Sequence, residues 1–150
     1  MFPKSSPIGC LLLVLAIVLA RTAIACAQMA IESDQQYAYA QQLLDEQQFR
    51  RAAEEFQRFA FLFADDPRQR TALLRAGEAF LVTGEFDLAV KQLAKLISQP
   101  ALDETAINAY FILGETLLQR GSPEQAIQQL RILANRSGSN PIRDRAFFRI

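Results

Sequence analysis

The chain has 150 residues, half of them apolar (51%), and its 16 basic and 16 acidic side chains balance to a formal charge of zero. This composition suits a compact or solenoidal fold and excludes a disordered chain. It contains no histidine and only two cysteines, which removes imidazole-based metal sites and acid–base catalysis from consideration. Cys10 and Cys26 both lie in or beside an N-terminal apolar run, so the rest of the chain has neither an internal disulfide nor a thiol nucleophile.

That run comes first in chain order. Lys4 precedes an uncharged stretch from Ser5 to Ala20, closed by Arg21 and followed by small residues at Ala23, Ala25 and Ala27. These are the n-region, h-region and cleavage region of an export signal, and residues 1–27 are read as one. Cleavage after Ala27 would release a soluble product. Lipidation of Cys26 stays open as an alternative, and an uncleaved anchor as a third; these are the only membrane links expected. Removing Lys4 and Arg21 with the leader leaves 14 basic against 16 acidic residues. A net charge of −2 offers nothing to phosphate backbones, so no nucleic-acid partner is expected.

Residues 28–32 read as a short lead-in. From Ser33 onward apolar residues recur at helical spacing, with one helix expected over about 33–47 and its partner over about 49–63. A 37-residue shift then recovers the same residue classes. Ala40, Gly77 and Gly114 are equivalent small residues, each followed three places later by Leu43, Phe80 or Leu117. In the second helix of each pair, Ala52, Ala89 and Ala126 align, as do Phe56, Leu93 and Leu130, then Phe59, Leu96 and Leu133. The turn inside each pair falls at Gln47, Gly84 and Gly121. Asp66, Asp103 and Asn140 stand at expected helix starts, where a side-chain oxygen accepts from a free backbone N–H. Ser122-Pro123 with Gln125 is a further helix-start signature.

Two amphipathic helices cannot bury their apolar faces alone, so such hairpins must stack on like neighbours and share a core. Repeats are placed at 33–66, 67–103 and 104–140, with a fourth starting at 141–150 and expected to continue beyond residue 150. Phe61 falls off the apolar stripe of its helix; it is expected to pack on the next hairpin, the other reading being an exposed contact surface.

Leu73-x2-Ala76-Gly77-x2-Phe80 followed by Ala89-x3-Leu93, and Tyr110-x2-Leu113-Gly114-x2-Leu117 followed by Ala126-x3-Leu130, resemble the tetratricopeptide repeat pattern. The resemblance covers residues 33–150. It departs from the family in having Gln36, Leu73, Tyr110 and Phe147 where the family's first aromatic stands, and in a period of 37 instead of 34, the surplus lying between hairpins. The stretched period, with Gly114-Glu115, resembles periplasmic repeat proteins of the Tol-Pal and outer-membrane assembly type. The resemblance implies an all-α fold, a right-handed α-α superhelix of hairpins, whose first helices line a concave groove. The matching positions are Tyr37, Gln41, Leu44 and Asp45, then Leu74, Glu78, Leu81 and Val82, then Phe111, Glu115, Leu118 and Gln119, with Phe148 continuing the row. This is an apolar groove with an acidic edge, suited to an extended peptide or amphipathic helix of another protein. The competing reading is that Leu74, Phe111, Leu81 and Leu118 complete the packing between repeats.

Chemistry is sparse elsewhere. Glu54-Glu55 and Asp65-Asp66 are sequence neighbours, which a helix points apart, and the glycines sit at repeat positions, away from any phosphate-binding loop pattern. No catalytic residue, metal or cofactor is expected. The leading functional expectation is a non-enzymatic interaction scaffold of the bacterial cell envelope, exported to the periplasm or carried as an outer-membrane lipoprotein or secreted protein. The alternative is an N-terminal adaptor or oligomerisation module of a longer exported protein whose activity lies beyond residue 150.

Overall fold

A computed structural model of the chain describes residues 7–136, with side chains described at 18–22 and from 27 onward. The fourth repeat at 141–150, Asn140, Phe148 and the Cys26 side chain lie outside the described residues. The fold is all-α: α1 (Pro7–Asp45), α2 (Phe49–Leu62), α3 (Gln69–Val82), α4 (Phe86–Ile97), α5 (Glu104–Gln119) and α6 (Pro123–Arg136). No strand occurs among the described residues. The chain divides into two units, residues 1–35 and 36–150. In the first, no helix among the described residues is long and apolar enough to cross a membrane.

In the second unit the helices pack in succession as hairpins, forming the helical solenoid that the periodicity expects. Residues 36–45 of α1 pair with α2, α3 with α4, and α5 with α6. Each pair is joined by a three-residue turn, whereas six-residue links, 63–68 and 98–103, connect one hairpin to the next. The links are therefore where the long period is taken up.

The turns show how closely the units repeat. Gln47, Gly84 and Gly121 all have positive φ, at 58°, 75° and 73°. In each turn that residue's N–H bonds the carbonyl three residues back, to Leu44, Leu81 and Leu118, at 3.0 Å every time. The next N–H, of Gln48, Glu85 or Ser122, reaches back five residues to Leu43, Phe80 or Leu117 at 2.8 Å. This is the Schellman closure, which satisfies the orphan carbonyls of a helix end and requires a left-handed residue. Glycine reaches that conformation freely, while glutamine is strained there. A Cβ on Gly84 or Gly121 would meet nothing within 4 Å, so only the backbone would resist it. We expect Gly84→Ala and Gly121→Ala each to cost about 1 kcal/mol, and Gln47→Gly to gain about 0.5–1 kcal/mol, measured by urea denaturation.

The core runs along the inside of the stack. Ala40, Leu43, Phe56 and Phe59 from the first hairpin, Leu73, Ala76, Leu93 and Leu96 from the second, and Leu113, Leu117 and Ala126 from the third belong to one continuous apolar cluster. Ala40, Gly77 and Gly114 are all buried. A Cβ on Gly77 would lie 2.9 Å from Leu93 Cγ, and one on Gly114 would lie 3.4 Å from Leu130 Cγ. Gly77 and Gly114 thus hold equivalent surroundings, each at the close approach of the two helices in its hairpin, and Ala40 is buried at the matching position of the first.

Three expectations are corrected. The first helix begins at Pro7, far upstream of Ser33, and runs through residues 28–33. No glycine or proline occurs between Cys10 and Asp66, so nothing in the backbone interrupts it there. Phe61 does not pack on the next hairpin; it is 75% exposed. The helix-start residues divide. Asp103 caps α5, its Oδ1 accepting from Ala106 N–H at 2.8 Å, and α6 starts at Pro123 as its signature predicts. Asp66 instead accepts from Arg68 N–H at 2.8 Å and holds the Arg68 guanidinium at 2.7 Å, so it closes the turn before α3, which starts at Gln69.

Candidate functional site

The face offered by the first helices is graded from covered to open along each helix. At its first position Tyr37 sits edge-on against Phe56 and Phe59, with ring centroids 5.5 Å and 5.1 Å away. The Arg68 guanidinium lies over its ring at 5.0 Å, a cation–π contact. Leu74 and Phe111, the equivalents of Tyr37, are only 9% and 8% exposed. The packing between repeats takes most of this row.

One helical turn further on, the row opens. Leu44 and Leu81 are half-buried against core residues, but Leu118 is 47% exposed and Val82 62%. Asp45 and Gln119 are exposed, and Gln41 is half-buried. The middle position carries the charge: Glu78 accepts from Arg75 at 3.1 Å, and Glu115 is exposed. A hollow of about 270 Å³ forms where Phe111, Gly114, Glu115, Leu118 and Leu130 meet. The structure therefore brings Phe111, Glu115 and Leu118 together around one apolar recess with a carboxylate beside it. Helical geometry accounts for the grouping, since positions three, four and seven apart share a face.

A polar link ties α3 to the segment leading into α5. Arg70 on α3 forks onto Asp103, Nε to Oδ2 at 3.0 Å and Nη2 to Oδ1 at 2.9 Å, and also donates to the Ala101 carbonyl at 3.1 Å. Arg70 further bonds Gln99, whose amide reaches the buried Gln69 at 3.1 Å. Bidentate pairs of this kind fix geometry as well as adding energy. The bond from Arg70 holds the Asp103 carboxyl below its ordinary 3.8, against the opposing effect of partial burial and with help from Ala106 N–H. A carboxyl with a depressed native pKa stabilises the fold above its unfolded value, and that contribution fades as pH falls through the native value. Asn keeps the cap but neither the charge nor the titration. Asp103→Asn should accordingly melt below wild type at neutral pH, with the gap closing below about pH 4; thermal melts over that range check it.

Charged junctions tie successive hairpins together with their polarity reversed. Arg50 at the start of α2 meets Glu85 in the next turn at 3.0 Å, whereas Asp87, its equivalent on α4, meets Arg120 in the following turn at 2.6 Å. No group of three or more metal-ligating side chains is found among the described residues. The surface that pattern reading missed is a larger hollow of about 740 Å³ between α2 and α4, beside Phe61. Its one sequence signal was a phenylalanine off the apolar stripe.

Stacked helical hairpins with a shared core and a repeated turn define a helical-repeat protein. Residues 37–105 match the family model described as tetratricopeptide repeat, a likeness consistent with the fold of successive helical hairpins. Such repeats generally mediate protein–protein interaction and are typically non-catalytic scaffolds. No curated protein matches the chain.

Proposed function

We propose that this protein is a non-enzymatic interaction scaffold of the bacterial cell envelope that holds a peptide or amphipathic helix of a partner on the face of its first helices. The observation that carries the reading is the open end of that face. Val82 and Leu118 stand exposed, and Leu118 rims the recess formed with Phe111 and Glu115. Exposed apolar side chains beside fixed carboxylates suit a partner segment with apolar anchors and basic flanks. The charged leader followed by an apolar run and the Ala25-Cys26-Ala27 site supports export to the periplasm. The long period and Gly114-Glu115 resemble envelope repeat proteins of the Tol-Pal and outer-membrane assembly type.

The test is to express the chain in a bacterium, recover it from the envelope with its bound partner, and measure affinity for that partner with Leu118→Asp and with Glu78→Ala/Glu115→Ala. The product is expected to begin at Gln28. Each variant should bind more weakly than wild type, while the alanine pair keeps its stability within roughly 1 kcal/mol, as for other surface changes. Undiminished affinity in both variants would refute the assignment of this face.

A further inference from the structure

The hollow between α2 and α4 is built from different chemistry. Its α2 wall presents Gln57, Arg58 and Phe61, and its α4 wall Lys91, Gln92 and Lys95. The floor is already satisfied: Gln92 is 3% exposed and its Nε2 donates to Gln57 Oε1 at 3.1 Å. The rim is not. Phe61 holds a ring three-quarters exposed, far above what a phenylalanine in a packed stripe shows.

Charge supplies the second half of the argument. Arg58 pairs with Glu55 at 3.1 Å and Glu54 with Arg50 at 3.3 Å, so the charges of α2 near the hollow are neutralised on their own helix. Lys91 and Lys95 are exposed and make no ion pair among the described residues. Four residues apart on one helix, they point the same way about 6 Å from each other. That spacing matches acids at i and i+4 of a helix, or at alternate residues of a strand.

We propose that this hollow is a second docking surface, separate from the first-helix face, for an acidic protein segment with an apolar anchor. The anchor packs on the Phe61 ring, and two carboxylates of the segment pair with Lys91 and Lys95. Concavity over a polar, self-satisfied floor favours a chain lying in the hollow over a flat lipid surface.

The whole chain is titrated by fluorescence anisotropy with short labelled peptides carrying a central phenylalanine flanked by aspartates, in helical and in alternate spacing. Matched peptides with lysine for aspartate, or serine for phenylalanine, serve as controls. At least one acidic peptide should bind, more weakly as salt rises, and both controls should fail. Lys91→Glu/Lys95→Glu should weaken binding at least about tenfold, the loss of two rim ion pairs, and Phe61→Ala should weaken it severalfold. Glu78→Ala/Glu115→Ala should leave it unchanged, which separates this surface from the other face. Lys91→Gln/Lys95→Gln provides the same readout should the reversed pair fold poorly. The proposal is overturned if no acidic peptide binds, if binding survives both lysine changes, or if it depends equally on Glu78 and Glu115. It is also overturned if anionic phosphatidylglycerol vesicles bind through Phe61 and the lysines while the peptides do not.

Discussion

Phe59→Ala is expected to destabilise the protein by about 3–5 kcal/mol, the range for emptying a fully buried aromatic site, while Phe61→Ala, two residues along the same helix, should stay within about 0.5 kcal/mol of wild type. Phe59 has no exposed surface. It packs against Tyr37 at 5.1 Å and Phe63 at 5.2 Å, and the Arg68 guanidinium stands 5.5 Å from its ring. One ring therefore joins α1, α2 and the link into α3. Cavity formation there removes contacts on three segments at once, and a loss of that size is a large part of a domain's whole stability. Urea midpoints for the two variants, at an unchanged denaturant slope, make the comparison.

The second large effect is a coupling. Leu93→Ala should cost about 2–5 kcal/mol by itself. Gly77→Ala should cost about 1 kcal/mol, because a gain of about the same size from helix propensity is exceeded by overpacking of about 1–3 kcal/mol against Leu93. In the double variant the new methyl enters space that the leucine vacated, so the combined loss should fall short of the sum by about 0.5–3 kcal/mol. The equivalent pair behaves differently. Gly114→Ala meets Leu130 at 3.4 Å instead of 2.9 Å, an ordinary van der Waals distance, and should raise stability by about 0.5–1 kcal/mol. A double-mutant cycle on each pair, run by chemical denaturation, reads both outcomes.

How far the fold could be read in advance depended on whether a residue's role was local or collective. The turns at Gln47, Gly84 and Gly121 were legible because a left-handed closure recurs at a fixed interval and two of the three residues are glycine. The close approaches at Gly77 and Gly114 were legible for the same reason: their partners, Leu93 and Leu130, recur with them. Helix boundaries were less so. Asp66 and Asp103 are identical in type and equivalent in register, yet the neighbouring Arg68 draws the first into a turn while the second caps α5. α1 starts at Pro7, a proline at the first helical position like Pro123, but this mark lay inside the run read as an export leader. With no glycine or proline between Cys10 and Asp66, nothing set Ser33 off as a start.

The candidate faces show the same division. Periodicity places Tyr37, Leu74 and Phe111 on one helix face, but whether neighbours cover them depends on tertiary contacts such as that of Arg68 on Tyr37, a residue on the far side of α2. Composition carries no sign of that cover. The buried Gln92 and its partner Gln57 stand 35 residues apart, off the repeat interval, so no register comparison reveals them. The pairing that leaves Lys91 and Lys95 without acids is likewise a property of three-dimensional neighbours.

The central claim is that the second unit is a stack of like units, each stabilised by the next. In such a stack stability is close to a sum of unit and interface terms. The most direct measurement duplicates residues 67–103 in tandem and follows unfolding by circular dichroism. The first copy should carry Asp87→Arg, so that it meets the second copy's Glu85 as Arg50 meets Glu85 in the natural chain. A longer chain with an undiminished helical signal per residue, one cooperative transition and a higher midpoint is the predicted result. A lower midpoint, or loss of the cooperative transition, would contradict the stack.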